Sequence, residues 1–340
     1  MHKINKIGVV GAGSWGTALA NLLALKGFDV SIWCYEAEVS DGINKAHRNP
    51  LYLNNISLSK RISATTDISQ AVADADFIIS ALPSRVVKTI WEGAKGSISK
   101  DAIIVNTTKG IEIESCKLMH DVFQNVLTNF PAERIVVLSG PSFAREVSLN
   151  LPTLVTVAGM NKEITKEVQK LFRTETFLTF ISDDVAGVEV GGAVKNVIAI
   201  ACGIADGLRL GQNARAAIIT RGLYEMIKIG KSYGANPLTF TGLAGIGDLT
   251  LTCTSKGSRN HELGFAIGEG TVPGDYIHNM KMVAEGYSSA KPIHAIAKER
   301  NISAPICATV YQILYEGMDP KKAVTELTSS ELGEELRSII

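Results

Sequence analysis

Neither sign of charge prevails in this chain, where 34 lysines and arginines are matched by 34 aspartates and glutamates. A chain without net charge carries no electrostatic footprint for nucleic acid or an anionic membrane, so neither partner is expected. The five cysteines, Cys34, Cys116, Cys202, Cys253 and Cys307, are scattered without CxxC spacing. That excludes a disulfide framework and a thiolate zinc site, and it points to a reducing compartment. The six histidines are equally dispersed and form no HxxxH pair, which leaves metal catalysis without a ligand set. No apolar stretch of membrane-spanning length is free of charge. The first apolar run carries a glycine turn in place of a small-residue cleavage site, so no signal peptide is expected. A cytoplasmic protein without membrane insertion is the resulting expectation.

What is present begins with 340 residues at 46% hydrophobic content, enough for two domains and a sizeable core. Ile7-Gly-Val-Val10 reads as a short buried strand that runs into Gly11-Ala-Gly-Ser-Trp-Gly16 and then into the helical run Thr17–Leu25. In this strand, turn and helix, Gly11 would permit the tight turn and Gly13 would let a pyrophosphate approach the backbone. Gly16 would let the helix pack closely on the sheet. The helix start supplies amides and a positive dipole end for phosphates. After a second strand, Asp29–Trp33, the position that reads an adenine ribose falls within Cys34-Tyr35-Glu36. Glu36 could accept from a ribose 2'-hydroxyl, which favours NAD, and no neighbouring arginine is present to grip a 2'-phosphate. The choice between NAD and NADP stays open.

Phe77–Ala81, Ala102–Asn106 and Ile135–Leu138 read as further buried parallel strands, with Leu154–Ala158 and Thr176–Phe180 as edge strands around a helix over 161–172. This alternation predicts an α/β fold, a Rossmann-like doubly wound sheet followed by an all-helical C-terminal domain. The boundary is placed near residue 182, giving a dinucleotide-binding domain over 1–182 and a helical substrate-binding and catalytic domain over 183–340. Loops after strand carboxyl ends are where such sheets bind ligands. They hold Leu82-Pro-Ser-Arg85, Thr107-Thr-Lys-Gly110 and Ser139–Ala144. Lys109 could meet an anion there, and Gly140 and Ser142 could offer donors, whereas Arg85 reads as a solvated helix-start residue.

Lys195-Asn196 stands in the apolar run Val190–Ile200. An amine desolvated among aliphatic residues is held toward neutrality, where it can exchange protons with a substrate oxygen. Taken alone, Lys195 is a lysine that snorkels, and its company in the chain is what gives the catalytic reading. That company includes Gly242–Thr252 with Asp248, and Ser258-Arg-Asn260. Asp248 could tune Lys195, hold a hydroxyl or only cap a helix, and Arg259 presents a planar fork suited to phosphate.

These segments together resemble the NAD(P)-dependent glycerol-3-phosphate dehydrogenases of bacterial type. The likeness rests on Gly11–Leu19, Thr108-Lys-Gly110, Ser139–Ala144, Gly191–Ala199, Asn213-Ala-Arg215, Thr220-Arg-Gly222, Gly245–Leu249, Leu251–Thr254 and Ser258–Asn260, and it spans nearly the whole chain. It implies hydride transfer between NAD(P)H and carbon 2 of dihydroxyacetone phosphate, giving sn-glycerol 3-phosphate for glycerophospholipid synthesis, with Lys195 as acid and base. By the same resemblance Ser14, Trp15, Tyr35 and Ala144 contact the dinucleotide, and Lys109 lies between cofactor and substrate. Gly140, Ser142, Asp248, Ser258, Arg259 and Asn260 serve the substrate, Arg259 also lies near the cofactor, and Val283 and Glu285 form a late cofactor contact. Cys34-Tyr35-Glu36 departs from the arginine or histidine common there, so both cofactors are expected to be accepted. Two rivals remain: a β-hydroxyacid or 6-phosphogluconate type of dehydrogenase, and a non-catalytic dinucleotide-binding sensor. The only other partner expected is a second copy, because apolar periodicity in the helical half suits a homodimer.

Overall fold

All four residues of β1 (Ile7–Val10) are buried, as a strand covered on both faces requires. The computed structural model describes residues 4–280 and 283–329; the end of the expected 183–340 domain, residues 330–340, lies outside the described residues. By contacts the chain divides into two compact units, one running to Thr108 with Met119–Val185 and the other comprising Lys109–Leu118 with Ala186 onward. Residues 109–118 thus belong to the helical unit, although the sequence places them among the strands.

The first unit carries an eight-stranded sheet in the order β3-β2-β1-β4-β5-β6-β7-β8. Its strands are β1, β2 (Val30–Trp33), β3 (Ile62–Thr65), β4 (Phe77–Ser80), β5 (Ile103–Asn106), β6 (Ile135–Ser139), β7 (Thr153–Ala158) and β8 (Phe177–Ser182). Every neighbouring pair is parallel except β6 with β7. The helices are α1 (Ser14–Leu25), α2 (Ala37–Ala46), α3 (Ile68–Val72), α4 (Val87–Ala94), α5 (Met119–Val126), α6 (Ala144–Ser148) and α7 (Lys162–Phe172). Ile7, Val9, Ile79 and Val105 enter one apolar cluster, and Val10, Ile78 and Ile104 enter another. That two-residue alternation gives the sheet a helical layer on each face. The order reverses between β1 and β4, which puts a topological switch point beside the glycine turn.

The second unit is helical: α8 (Val185–Gly207), α9 (Gly211–Ser232), α10 (Asp248–Thr254), α11 (Arg259–Gly268), α12 (Pro273–Asn279), α13 (Glu285–Glu299), α14 (Pro305–Tyr315) and α15 (Pro320–Ser329). Valine, isoleucine and glycine are modest helix formers. Tertiary burial therefore holds α8, which is buried over most of its length and largely apolar, with Glu189, Lys195 and Asn196 as its buried polar exceptions. By length and hydropathy α8 could cross a membrane, yet 94% of its most apolar window is buried inside the protein.

Candidate functional site

In the first unit the glycine turn follows β1. Gly11 has φ +109°, and a Cβ there would meet the Ala81 carbonyl oxygen at 2.7 Å. A Cβ at Gly16 would overlap the Gly11 carbonyl itself. At Gly13, the N-cap of α1, a Cβ would meet nothing within 4 Å. No side chain caps α1, so its first turn is open to an anion. The Trp15 indole Nε1 is buried without a hydrogen-bond partner, a donor that an acceptor at this turn would satisfy. These features fit a dinucleotide pyrophosphate. Ser14 is turned to the Tyr52 carbonyl, to which its hydroxyl donates at 2.8 Å. The Tyr52 hydroxyl donates to Glu36 at 2.6 Å and is itself pushed up to about 12 by that bond. Glu36 is thereby fixed at the end of β2. Tyr35 beside it is 79% exposed and meets Trp33 edge-on at 6.4 Å. Gly140, Ser142 and Ala144 follow β6, three strand spacings or ~14 Å from β1. Ser142 donates to Gly140's carbonyl at 2.9 Å, and α6, which begins at Ala144, packs on α1. Arg85 is exposed in the turn that precedes α4.

The second unit assembles a buried polar cluster. Lys195, 5% exposed on α8, directs Nζ to Thr252 Oγ1 at 2.8 Å, Asn196 Oδ1 at 3.1 Å and Asp248 Oδ1 at 3.3 Å. Lys109 pairs with the other Asp248 oxygen at 2.7 Å. Asp248 is the first residue of α10, but Gly247 is the N-cap and no side chain caps the helix; the Asp248 carboxylate instead lies between the two lysine amines. Two lysines thus share one buried carboxylate. Burial pushes Lys195 down to about 8, with Lys109 adding to the shift and Asp248 opposing it. Thr252, not singled out in the sequence, donates to the Asp248 carbonyl one turn back and accepts from Lys195; its four-residue spacing from Asp248 on α10 was the available signal.

Ser258 caps α11 by accepting from His261 N. The next two residues, Arg259 and Asn260, form the helix's first turn. Asn260 donates to Asn196 Oδ1 at 2.9 Å. Arg259 donates to the Val283 carbonyl at 3.2 Å; burial lowers its pKa, and nearby Glu285 and Glu262 oppose that. Val283 and Glu285, which the local sequence did not identify, thus adjoin Arg259. Gly203 of α8 and Gly264 of α11 have no room for a Cβ, each being blocked by the other helix's backbone, and this close crossing sets the start of α11 relative to Lys195. The cluster can hold an anion and exchange a proton with an oxygen.

The models for the N-terminus and C-terminus of NAD-dependent glycerol-3-phosphate dehydrogenase match residues 6–165 and 184–325. The glycerol-3-phosphate dehydrogenase [NAD(P)+] of Syntrophobacter fumaroxidans is 46% identical over 97% of each chain. That of Geobacter sulfurreducens is 46% identical over 96% of this chain and 98% of the relative. A crystal structure of glycerol-3-phosphate dehydrogenase from Coxiella burnetii superposes with TM-score 0.92 at 39% identity, covering 96% of this chain and 99% of that one. With both halves matched in order and relatives aligned nearly end to end, the chain belongs to the NAD(P)-dependent glycerol-3-phosphate dehydrogenase family of oxidoreductases.

Proposed function

We propose that this protein interconverts dihydroxyacetone phosphate and sn-glycerol 3-phosphate, with Lys195 exchanging the proton at the carbon-2 oxygen. The observation that carries the reading is the Lys195 amine, buried between Asp248, Thr252 and Asn196, where burial pushes its pKa down to about 8. NAD(P)H, held by Gly11, Gly13, Ser14, Trp15, Gly16, Tyr35 and Ala144, supplies the hydride. As negative charge develops on the ketone oxygen, Lys195 donates its proton, and Lys109 adds positive charge. Asp248 orients both lysines. Ser258, Arg259 and Asn260 anchor the phosphate, with Gly140 and Ser142 lining the pocket, and the remote anchor restricts carbon 2 to a reactive position. Arg259, Val283 and Glu285 form the late cofactor contact. In this assignment residues 1–182 bind the dinucleotide and 183–340 bind substrate and carry the catalysis. The product feeds glycerophospholipid synthesis in the cytoplasm, and the enzyme acts as a homodimer without membrane insertion.

Oxidation of NADH and NADPH in the presence of dihydroxyacetone phosphate tests the reading. Both cofactors turn over, and NADH has the lower KM because Glu36 disfavours a 2'-phosphate. Ketone reduction needs the protonated lysine, so its kcat/KM falls as pH rises through about 8, while glycerol phosphate oxidation rises through the same range. Lys195→Ala lowers kcat about 10²–10⁴-fold with NAD(P)H binding retained. A folded Lys195→Ala enzyme of wild-type rate overturns the assignment.

A further inference from the structure

Gly286 stands at the second position of α13, where a helix amide has no acceptor within its own helix. Its N–H donates instead to Asn260 Oδ1 at 2.9 Å in a buried setting. A Cβ on residue 286 would lie 2.5 Å from the Asn196 carbonyl oxygen and 2.9 Å from Asn260 Oδ1. Hydrogen-bond polarity then propagates. A backbone N–H can only donate, so Asn260 presents its oxygen to Gly286 and its NH₂ to Asn196. Asn196 in turn receives with Oδ1 and donates through Nδ2 to the Lys109 and Gly192 carbonyls, which can only accept. The oxygen left facing Lys195 takes the ammonium at 3.1 Å.

We propose that Gly286 is a positioning residue: its amide fixes the orientation of Asn260, whose NH₂ meets the Asn196 oxygen that faces Lys195, while its missing side chain lets α13 rest on the backbone of residue 196 and so keeps that oxygen in place. This rests on the reading of Lys195 as the acid and base. Lys195 also faces Asp248, Lys109, Cys253 and the Thr252 hydroxyl, and substitution at 286 leaves all four in place.

Gly286→Ala in the full-length enzyme is expected to lower kcat about 10–100-fold with a smaller change in the KM for dihydroxyacetone phosphate. The limb of the pH profile that reports Lys195 moves to lower pH, because a methyl group at 286 pushes on the backbone of residue 196 and draws the Asn196 oxygen away from the ammonium. Ser289→Ala, one turn along α13 where the buried hydroxyl makes no hydrogen bond, leaves that limb in place. Should Gly286→Ala fail to fold, amide exchange at Gly286 decides: protection falling at least tenfold in Asn260→Ala supports the relay, and unchanged protection overturns it. A folded Gly286→Ala enzyme with wild-type kcat and pH limb refutes the inference. If Lys195→Ala is inactive in the same assay, the proposed function survives that refutation; an active Lys195→Ala enzyme removes both.

Discussion

Around Gly11–Gly16 a ligand would meet mostly main chain. The space at Gly13 is open, the first turn of α1 has no side-chain cap, and the neighbouring side chains are occupied locally, Ser14 with Tyr52 and Glu36 with Tyr52. Around Lys195 a ligand would meet side chains from segments scattered between Lys109 and Asn260, joined by buried hydrogen bonds. The difference has a physical source. A dinucleotide pyrophosphate can be held by amides that every residue possesses, so the chain need only remove side chains in the right places. Moving a proton at a chosen oxygen needs a titratable group with a tuned pKa, and tuning needs specific neighbours. The first site is therefore broken by adding atoms, whereas the second is broken also by taking them away.

The largest effect follows from an addition. Gly16→Ala sets a methyl group against the Gly11 carbonyl and 3.1 Å from the Ala81 Cβ, which the turn can accommodate only by changing shape. NAD(P)H affinity, followed by nicotinamide fluorescence, is expected to fall at least 100-fold. Affinity within a few-fold of wild type would break the comparison, because side chains would then be holding the dinucleotide. A smaller effect follows from a removal. Arg259→Ala deletes the charged fork at the start of α11 and its bond to the Val283 carbonyl. A charge-assisted hydrogen bond is worth about 1.5–3 kcal/mol, so the KM for dihydroxyacetone phosphate rises roughly 10–150-fold while kcat changes less. Unaltered substrate kinetics would take the phosphate role away from Arg259.

The same contrast explains what could be read from the sequence. The glycine turn is written in consecutive residues, and the runs Ile7–Val10, Phe77–Ser80 and Ile103–Asn106 show the parallel strands because burial on both faces leaves them apolar except for Ser80 and Asn106 at their carboxyl ends. Strand β3 went unassigned because Ile62-Ser-Ala-Thr65 lies at the sheet edge and only Ile62 is buried. Lys195 was visible as a charge in an apolar helix. Thr252 was not, since its four-residue spacing from Asp248 is a weak signal for a threonine among leucines and threonines until Asp248 and Lys195 are known to converge on it. Residues 109–118 joined the helical unit through contacts between distant segments, such as the Tyr233 hydroxyl donating to the Cys116 carbonyl, and no local periodicity encodes such contacts.

Glu225 sharpens the comparison from inside the second unit, where it is a buried side chain whose hydrogen bonds run to backbone amides. From α9 its two carboxylate oxygens accept from Ile306 N at 2.7 Å and Cys307 N at 2.9 Å, in the first turn of α14. Those amides, and the charge of Lys228, favour the charged form, but burial outweighs them and pushes Glu225 up to about 7 from 4.5. Between those pH values the folded protein keeps a proton that the unfolded chain has lost, so stability from this group is present at low pH and declines as pH rises through the window. The decline amounts to at most about 3 kcal/mol. Glu225→Gln abolishes the titration and turns an NH₂ toward one of the two amides, at a cost of about 1–3 kcal/mol. Urea denaturation should then show the variant less stable than wild type near pH 5, with the gap closing toward pH 8 as wild type loses its proton-linked advantage. Other titrating groups are common to both proteins and cancel in the difference. Wild-type and variant stability curves that run parallel from pH 5 to 8 would mean that Glu225 is already charged at the low end, its α14 amides having prevailed over burial.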